Sequence, residues 1–208
     1  VTFGTAYVYS LRETGKVVAN CHKLPASLFD RRRVGVDEML RGWIPLIERL
    51  SGSNPELRIM FTVSPIRHLR DGAHENQLSK SVLLLFVDEL CRMYPDRCIY
   101  FPSYEIVMDE LRDYRFYDAG MTHPNEQAIR YIWERFSEAC FSEETRTLNR
   151  EWERLEKALN HRPLTPDKDT FRDFTVQNLF KLKKIREKYS YFDLSKEIDS
   201  LELFLKTL

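Results

Sequence analysis

The sequence has 208 residues, of which 43% are hydrophobic and 12% aromatic, a composition that suits one packed core with a small appendage. The 32 lysine and arginine residues balance the 32 aspartate and glutamate residues, so the chain lacks the basic surface of a broad nucleic-acid interface. The apolar run Val82–Leu90 is too short to span a membrane and is broken by Asp88 and Glu89. We therefore expect neither a nucleic-acid partner nor a membrane span.

Four cysteines are scattered along the chain: Cys21, Cys91, Cys98 and Cys140. They show no CxxC spacing and no zinc-ligand pattern, so they indicate buried residues or free thiols in a reducing compartment. A metal site formed by His22, His68 and His123 is disfavoured because no ligand spacing supports it. We expect a cytoplasmic protein with no metal and no cofactor.

The chain opens on an alternating, β-branched and aromatic run over residues 1–9, which predicts a strand. The run begins without an initiator methionine, and no basic or long apolar leader precedes it. We therefore expect that a segment of the natural protein precedes Val1. After a polar turn, Lys16–Ala19 predicts a short returning strand, and a loop that contains Asn20 and His22 follows.

Two further segments predict strands of a parallel sheet. Residues 57–63 form a near-continuous apolar run, which is typical of a strand buried on both faces, and residues 98–102 form a shorter run. The two strands lead directly into polar loops at 64–72 and 102–105. Because ligand sites in open α/β sheets lie beyond the carboxyl ends of the strands, these loops are candidate parts of a site.

Apolar residues at helical spacing predict helices over 36–50, 79–93 and 124–141, and a shorter helix over 106–114. Pro45 lies inside the first of these, which leaves a kink or a late helix start open. Strands that alternate with helices are typical of a parallel α/β sheet. The predicted fold is a three-layer α/β sandwich with a mostly parallel sheet and helices on both faces.

The last third of the chain is nearly all charged or polar, with a thin apolar stripe. Helices are predicted near 168–189 and 193–207. We therefore divide the chain into an α/β domain over 1–141 and a helical extension over 142–208. The basic run Lys181–Lys184 is more typical of a solvated helix face than of a site for an anionic partner.

His123 is the main catalytic candidate. It lies in a loop that enters a helix at Pro124, with Asp118 just upstream. An acid that orients an imidazole, which in turn activates a nucleophile, is the general arrangement of hydrolytic triads. The alternative is that His123 and Pro124 only form a helix entrance, since proline is common at the first helical position.

Three basic residues, Arg67, His68 and Lys80, could hold an anionic group of a substrate. Arginine in particular suits bidentate contacts to carboxylate or phosphate. The alternative is that these residues form structural ion pairs with Glu75 or Glu105.

The remaining polar candidates have weaker patterns. His22 is expected to line a pocket beside Asn20, or else to lie at the end of a surface hairpin. Ser64 lacks the strained Gly-x-Ser-x-Gly turn of a hydrolase nucleophile. We therefore interpret Ser64 as a turn-starting serine before Pro65.

Several separate motifs, taken in order along residues 1–140, together resemble one known family. They are Thr2–Ala6, Asn20–Lys23, Ser64–His68, Ser79–Lys80, Tyr100–Glu105, Asp113–Tyr117 and His123–Pro124. In these segments the chain is similar to the GSCFA-domain family, which belongs to the wider SGNH, or GDSL-like, hydrolases. The resemblance implies a flavodoxin-like α/β sandwich with serine hydrolase or acyltransferase activity, and the helical tail lies outside its best-matching part.

The resemblance also implies catalytic roles. The family is named for an N-terminal Gly-Ser-Cys-Phe-Ala motif that supplies the nucleophilic serine; the sequence lacks it, so we expect it in a segment preceding Val1. His123 matches the base of the Asp-x-x-His block, whose acid stands three residues earlier. That position is Gly120 here, which leaves Asp118 as the nearest acid, or a Ser–His dyad as the alternative.

An oxyanion donor is implied next to the first strand. In the SGNH scheme an asparagine of a Gly-x-Asn motif donates to the oxyanion, whereas this chain reads Gly4-Thr5-Ala6. The asparagine position is therefore Ala6, and we expect Asn20 to bring a side-chain amide to the same place. Losing one such donor typically lowers the rate by roughly a hundredfold to a thousandfold.

Three functions remain open from the sequence. The first is a serine hydrolase or acyltransferase that acts on an ester of a small or carbohydrate-like substrate. The second is a catalytically weakened relative that binds a ligand without turnover, which Gly120 and Ala6 favour. The third is an interaction module that acts through the helical tail. The sequence indicates neither the acyl group nor the oligomeric state, and the 208 residues by themselves are expected to lack esterase activity.

Overall fold

A computed structural model describes residues 1–19, 21, 23–160 and 168–207. The chain divides into two compact units, Val1–Phe136 and Ser137–Leu208. The strands are β1 (Thr2–Phe3), β2 (Tyr7–Leu11), β3 (Val17–Val18), β4 (Phe29–Arg33), β5 (Ile59–Val63) and β6 (Cys98–Tyr100). The helices are α1 (Val36–Ser53), α2 (Ala73–Met93), α3 (Ser103–Glu105), α4 (Glu126–Cys140), α5 (Glu143–Leu159), α6 (Lys168–Lys188) and α7 (Ser195–Thr207).

The central feature of the first unit is a parallel sheet with strand order β1-β5-β6. Phe3 pairs with Val63, and Phe61 pairs with Tyr100. Parallel strands point the same way, so their carboxyl ends meet at one edge. This edge carries the polar loops that follow β1, β5 and β6, which is the arrangement expected from the sequence.

The prediction of one continuous strand over 1–9 is wrong. The parallel strand β1 ends at Phe3, and β2 begins at Tyr7 in a separate antiparallel sheet of order β3-β2-β4. Between them the Ala6 amide donates to the Ser79 hydroxyl of α2 over 2.7 Å and so leaves the strand direction. The break therefore depends on a helix far away in the sequence, which the local alternation of residues 1–9 does not report.

Strand β4 was not predicted, because its three consecutive arginines are untypical of a strand. Its side chains alternate between the two faces, and Phe29 is buried. Arg31 forms an ion pair with Asp71 and lies 4.0 Å above the Tyr7 ring, and Arg33 pairs with Glu75 at 3.2 Å. Partners on neighbouring elements thus compensate the charges of this strand.

Two hydrophobic clusters pack against β5. Ile59, Phe61 and Val63 lie in a cluster with the buried faces of α1 and α2, and Met60 packs against a second cluster formed after β6. Alternate strand residues point to opposite faces, so both faces of β5 are covered by apolar side chains. The first cluster also contains Leu83 and Phe86 of α2, the helix that carries Lys80. Helix α2 therefore packs against the sheet.

The segment after β6 differs from the single short helix predicted over 106–114. It consists of α3, a π-helical turn over Ile106–Glu110 and a 3-10 turn over Tyr114–Phe116, in which the Asp113 side chain accepts from the Arg115 amide. Helix α1 continues through Pro45, so the late start left open by the sequence does not occur. The wider π-helical turn presents Val107 and Met108 to the cavities described below.

The second unit contains α5, α6 and α7. Helix α5 is capped by Ser142, whose hydroxyl accepts from the Thr145 amide over 3.2 Å. These three helices share one apolar cluster: Leu148, Leu155, Leu182, Ile185, Tyr189, Leu194 and Ile198. This unit has its own core, which accounts for the thin apolar stripes of its helices.

The described residues thus form an α/β structure with a three-stranded parallel sheet and helices in both units. Within the ranges that the structure describes, no helix has both the length and the apolar character required to cross a membrane.

Candidate active site

A buried lysine forms hydrogen bonds to the residues that follow β1 and β5 at the carboxyl edge of the sheet. The Lys80 ammonium donates to the carbonyl oxygens of Gly4 and Ser64, each over 2.6 Å. Lys80 is only 1% exposed, and burial lowers its pKa to about 8. The expected contact of Lys80 with a substrate anion is wrong, because its side chain is committed to the backbone beneath the site.

Ser79 holds the chain that follows β1. Its hydroxyl accepts from the Ala6 amide over 2.7 Å and lies 3.2 Å from the Thr5 hydroxyl. Ala6 occupies the position where the resemblance implies an asparagine donor, and its backbone N–H is already bonded. The Ala6 N–H is therefore not available to a ligand at this edge.

His68 lies beside Gly4. A methyl group at Gly4 would stand 3.2 Å from the His68 Nε2, so the ring approaches the backbone more closely than a side chain there comfortably allows. The His68 amide donates to the Asn76 side chain over 2.9 Å, which fixes the loop after β5. The pKa of His68 is lowered, first by burial and then by the positive charges of Lys80 and His123.

His123 lies in a tight loop near His68. The loop is closed by the Asp118 amide, which donates to the His123 carbonyl over 2.8 Å, and Met121 adopts a left-handed conformation with φ of 57°. The His123 side chain is 59% exposed. The Thr122 carbonyl accepts from the Arg67 amide over 3.0 Å, so the His123 loop is bonded to the residue before His68.

The two nitrogens of His123 have different surroundings. Nδ1 lies 2.9 Å from the Thr122 hydroxyl and 3.7 Å from the nearest Asp118 carboxylate oxygen. Thr122 is therefore the direct hydrogen-bond partner, and Asp118 stands behind it as a nearby negative charge. A partner on Nδ1 fixes the ring orientation and directs Nε2 outward.

Gly120 gives Asp118 room within this loop. A methyl group at Gly120 would lie 3.4 Å from a carboxylate oxygen of Asp118 and 3.6 Å from the Thr122 hydroxyl. The carboxylate thus occupies the space above Gly120. The nearest Asp118 carboxylate oxygen lies 3.7 Å from the His123 Nδ1, which is beyond hydrogen-bond distance of the imidazole.

Arg67 links the loop after β5 to the His123 loop. Its amide donates to the Thr122 carbonyl over 3.0 Å, and its guanidinium donates to the Met121 carbonyl over 3.2 Å. The guanidinium lies 4.2 Å above the Tyr117 ring and 5.5 Å from the Tyr114 ring. Arg67 is therefore held against the two residues that precede His123.

The ion pairs offered as alternatives for Arg67 do not form. Glu75 accepts from the Tyr7 hydroxyl over 2.6 Å and pairs with Arg33, and Glu105 accepts from the Tyr100 hydroxyl over 2.7 Å. Ser64 is buried, and its hydroxyl accepts from the Ile66 amide over 3.2 Å, as a turn-starting serine does.

Two predicted site residues, Asn20 and His22, lie outside the described residues. Within the part of the chain that the structure describes, no group of three or more His, Cys, Asp or Glu side chains is arranged to hold a metal ion. The sequence analysis assigned no role to Ser79 or to Thr122. A signal existed for the Ser79–Lys80 pair, since Lys80 stands three residues before Leu83 on the buried stripe of α2.

Two family models match this chain. The GSCFA family matches residues 1–136, and the C-terminal domain of GSCFA domain proteins matches residues 152–207. No curated protein and no solved structure matches it.

Proposed function

The chain belongs to the GSCFA family, and we propose that it forms the main part of an SGNH-type serine hydrolase or acyltransferase. The proposed substrate is an ester of a small or carbohydrate-like molecule. The proposal includes a flavodoxin-like three-layer sandwich as the complete fold and a cytoplasmic location.

The observation that carries the proposal is the orientation of His123. The Thr122 hydroxyl holds Nδ1 at 2.9 Å, which leaves Nε2 to act as the general base. The Asp118 carboxylate, 3.7 Å from Nδ1, would stabilise the imidazolium that forms when the base takes a proton. The Arg67 amide donates to the Thr122 carbonyl and so joins the His123 loop to the loop after β5, in which the His68 ring lies beside Gly4.

The proposed nucleophile is the serine of the Gly-Ser-Cys-Phe-Ala motif for which the family is named. The three-stranded sheet offers a place for it, because β1 is an edge strand whose outer side pairs with no strand among the described residues. A further parallel strand along β1 would end beside Gly4, near His123. We propose that the Gly4 backbone and the His68 ring line the space in which the oxyanion forms.

In the proposed reaction, His123 removes the proton of the serine hydroxyl as the serine oxygen attacks the ester carbonyl. Collapse of the tetrahedral intermediate expels the alcohol, which takes the proton back from His123. Water, or a second alcohol in the case of acyl transfer, then attacks the acyl-enzyme with the same base.

The decisive experiment is fluorophosphonate labelling of the protein at its full natural length. We expect one labelled serine, within a Gly-Ser-Cys-Phe-Ala segment, and labelling that persists in the Ser64→Ala variant. His123→Ala should lower labelling and ester turnover by roughly a hundredfold to ten-thousandfold. His74→Ala is the matched control, since His74 is exposed on the first turn of α2. Absence of a reactive serine in the full-length protein would refute the proposal.

One observation favours a second function. The 3.7 Å separation between Asp118 and Nδ1 is longer than a hydrogen bond and suits a relative that binds an ester or anionic ligand with little turnover. Ligand binding without labelling of any serine would support this alternative.

A further inference from the structure

Two cavities open at the carboxyl edge of the sheet and meet at Arg67. The larger has a volume of about 320 Å³ and the smaller about 240 Å³. Arg67, Met108 and Tyr114 line both of them. Together they offer the space that a small organic ligand requires.

The larger cavity carries a single formal charge. Its other described lining residues are apolar or neutral: Pro65, Leu69, Ala73, Asn76, Gln77, Tyr104, Met108 and Tyr114. Arg67 therefore makes the electrostatic potential of this cavity positive, which favours an occupant with a negative charge.

The Arg67 charge is not neutralised by the protein. No carboxylate among the described residues forms an ion pair with it; its contacts are the Met121 carbonyl and the rings of Tyr114 and Tyr117. Asp113, which lines the smaller cavity, instead accepts from the Arg115 amide over 2.9 Å. Ring stacking holds the planar guanidinium in place while leaving N–H donors for a ligand.

The Tyr117 hydroxyl provides a second donor. Tyr117 is 8% exposed and lines the smaller cavity, and its buried hydroxyl has no hydrogen-bond partner among the residues that the structure describes. Leaving such a group unpaired is costly, so an acceptor brought by a ligand would stabilise the site. Burial raises the pKa of Tyr117 and outweighs the opposing effects of the charge and the hydrogen-bonding groups of the neighbouring Arg67 guanidinium, so the hydroxyl keeps its proton as a donor.

We propose that Arg67 and Tyr117 form an anion site that binds a carboxylate or phosphate group carried by the ester substrate. This inference rests on the proposed function and specifies its substrate class. Arg67 bonds the backbone of Met121 and Thr122, the two residues before His123, so the anion lies next to the loop that carries the base. An arginine fork suits both carboxylate and phosphate oxygens.

The binding arm of the test uses the full-length His123→Ala protein, which leaves the anion site intact. Calorimetric titration at fixed ionic strength with monomethyl succinate, inorganic phosphate and the neutral methyl levulinate should show that at least one anion binds and that the neutral ester binds more weakly. Arg67→Gln, added to this background, should weaken anion binding by roughly tenfold to a hundredfold. The preferred anion then distinguishes carboxylate from phosphate.

The activity arm compares 4-nitrophenyl hemisuccinate with 4-nitrophenyl levulinate, which replaces the carboxylate with a methyl ketone. Arg67→Gln should lower kcat/KM for the hemisuccinate by about tenfold to a hundredfold more than for the levulinate if the carboxylate is the preferred anion. A general disturbance of the His123 loop would instead lower both equally. Tyr117→Phe, which removes only the hydroxyl, should lower the preference for the hemisuccinate over the levulinate by about threefold to tenfold.

Arg112→Gln is the matched control. Arg112 lines the same smaller cavity but is 78% exposed and pairs with Asp109, so its loss should leave anion selectivity unchanged. If neither anion binds, or binding is independent of Arg67, the anion site is refuted while the hydrolase proposal stands. If no ester is hydrolysed but anions bind through Arg67, the hydrolase proposal fails and the anion site stands.

Discussion

Two cations at the same sheet edge differ in what surrounds them. Lys80 is buried and donates to two backbone carbonyls, whereas Arg67 is partly exposed, stacks on two aromatic rings and has no carboxylate partner among the described residues. The first arrangement commits the charge to the ends of β1 and β5. The second leaves donors for a ligand. We infer that the inner side of the edge is scaffold, and the proposed chemistry lies on the outer side, with His123.

The largest expected effect on stability follows from Lys80→Met. The substitution keeps the side chain as far as Cε but removes the donor of the Gly4 and Ser64 carbonyls, at a cost of about 1–3 kcal/mol each, less the relief of the buried charge. We expect the free energy of unfolding to fall by about 2 kcal/mol in urea denaturation at pH 9, where part of the penalty for the buried charge is already relieved.

The control for that substitution is Arg92→Met on the same helix. Arg92 is exposed and pairs with Glu89 three residues before it, so its loss should change stability by less than about 0.5 kcal/mol. Equal stabilities of the Lys80→Met and Arg92→Met variants would contradict the assignment of Lys80 to the scaffold.

The second prediction concerns pH. The pKa of Lys80 is about 8 in the folded protein and 10.5 in its ordinary state, so between these values the unfolded chain binds the proton and the folded chain does not. The contribution of Lys80 to stability therefore rises with pH from about 8 to 10.5, by up to about 3 kcal/mol, and is lost as pH falls through 8.

This contribution is measured as the difference in unfolding free energy between wild type and Lys80→Met across that range. We expect the difference to grow with pH, since the variant lacks the titrating group. A difference that stays constant from pH 8 to pH 10 would mean that burial does not perturb the amine.

The third prediction tests the outer side of the edge. Because Thr122 rather than Asp118 contacts Nδ1 of His123, Asp118→Asn should lower kcat by only about tenfold in the full-length enzyme, far less than removal of a directly bonded triad acid. Thr122→Val should lower it by a similar factor. A loss near ten-thousandfold for Asp118→Asn would show that the carboxylate closes onto the imidazole during turnover.

The two sides also differ in how far the sequence could predict them. The apolar run of β5 indicated a buried parallel strand, and the polar loop that contains Arg67 and His68 was correctly placed at its carboxyl end. The role of Lys80 was not predictable from residue type, because lysine is ordinarily exposed and its partners lie far away in the sequence. The geometry of the His123 loop depends on tertiary contacts to Arg67, which no local pattern encodes.

The smallest expected effects come from a pair of glycines, one on each side of the edge. Neither Gly4 nor Gly120 has a positive φ, so steric contact alone distinguishes them. A methyl group at Gly4 would stand 3.2 Å from the His68 ring, and the ring would have to move by a few tenths of an ångström. We expect Gly4→Ala to cost about 1 kcal/mol of stability and to shift the His68 resonances in an NMR spectrum.

At Gly120 the nearest atom, a carboxylate oxygen of Asp118, lies at an ordinary contact distance of 3.4 Å, so Gly120→Ala should stabilise the protein by about 0.5 kcal/mol through the entropy of the unfolded chain. The reverse order of these two stabilities would mean that the exposed outer loop, and not the scaffold side, is the more tightly packed part of the edge.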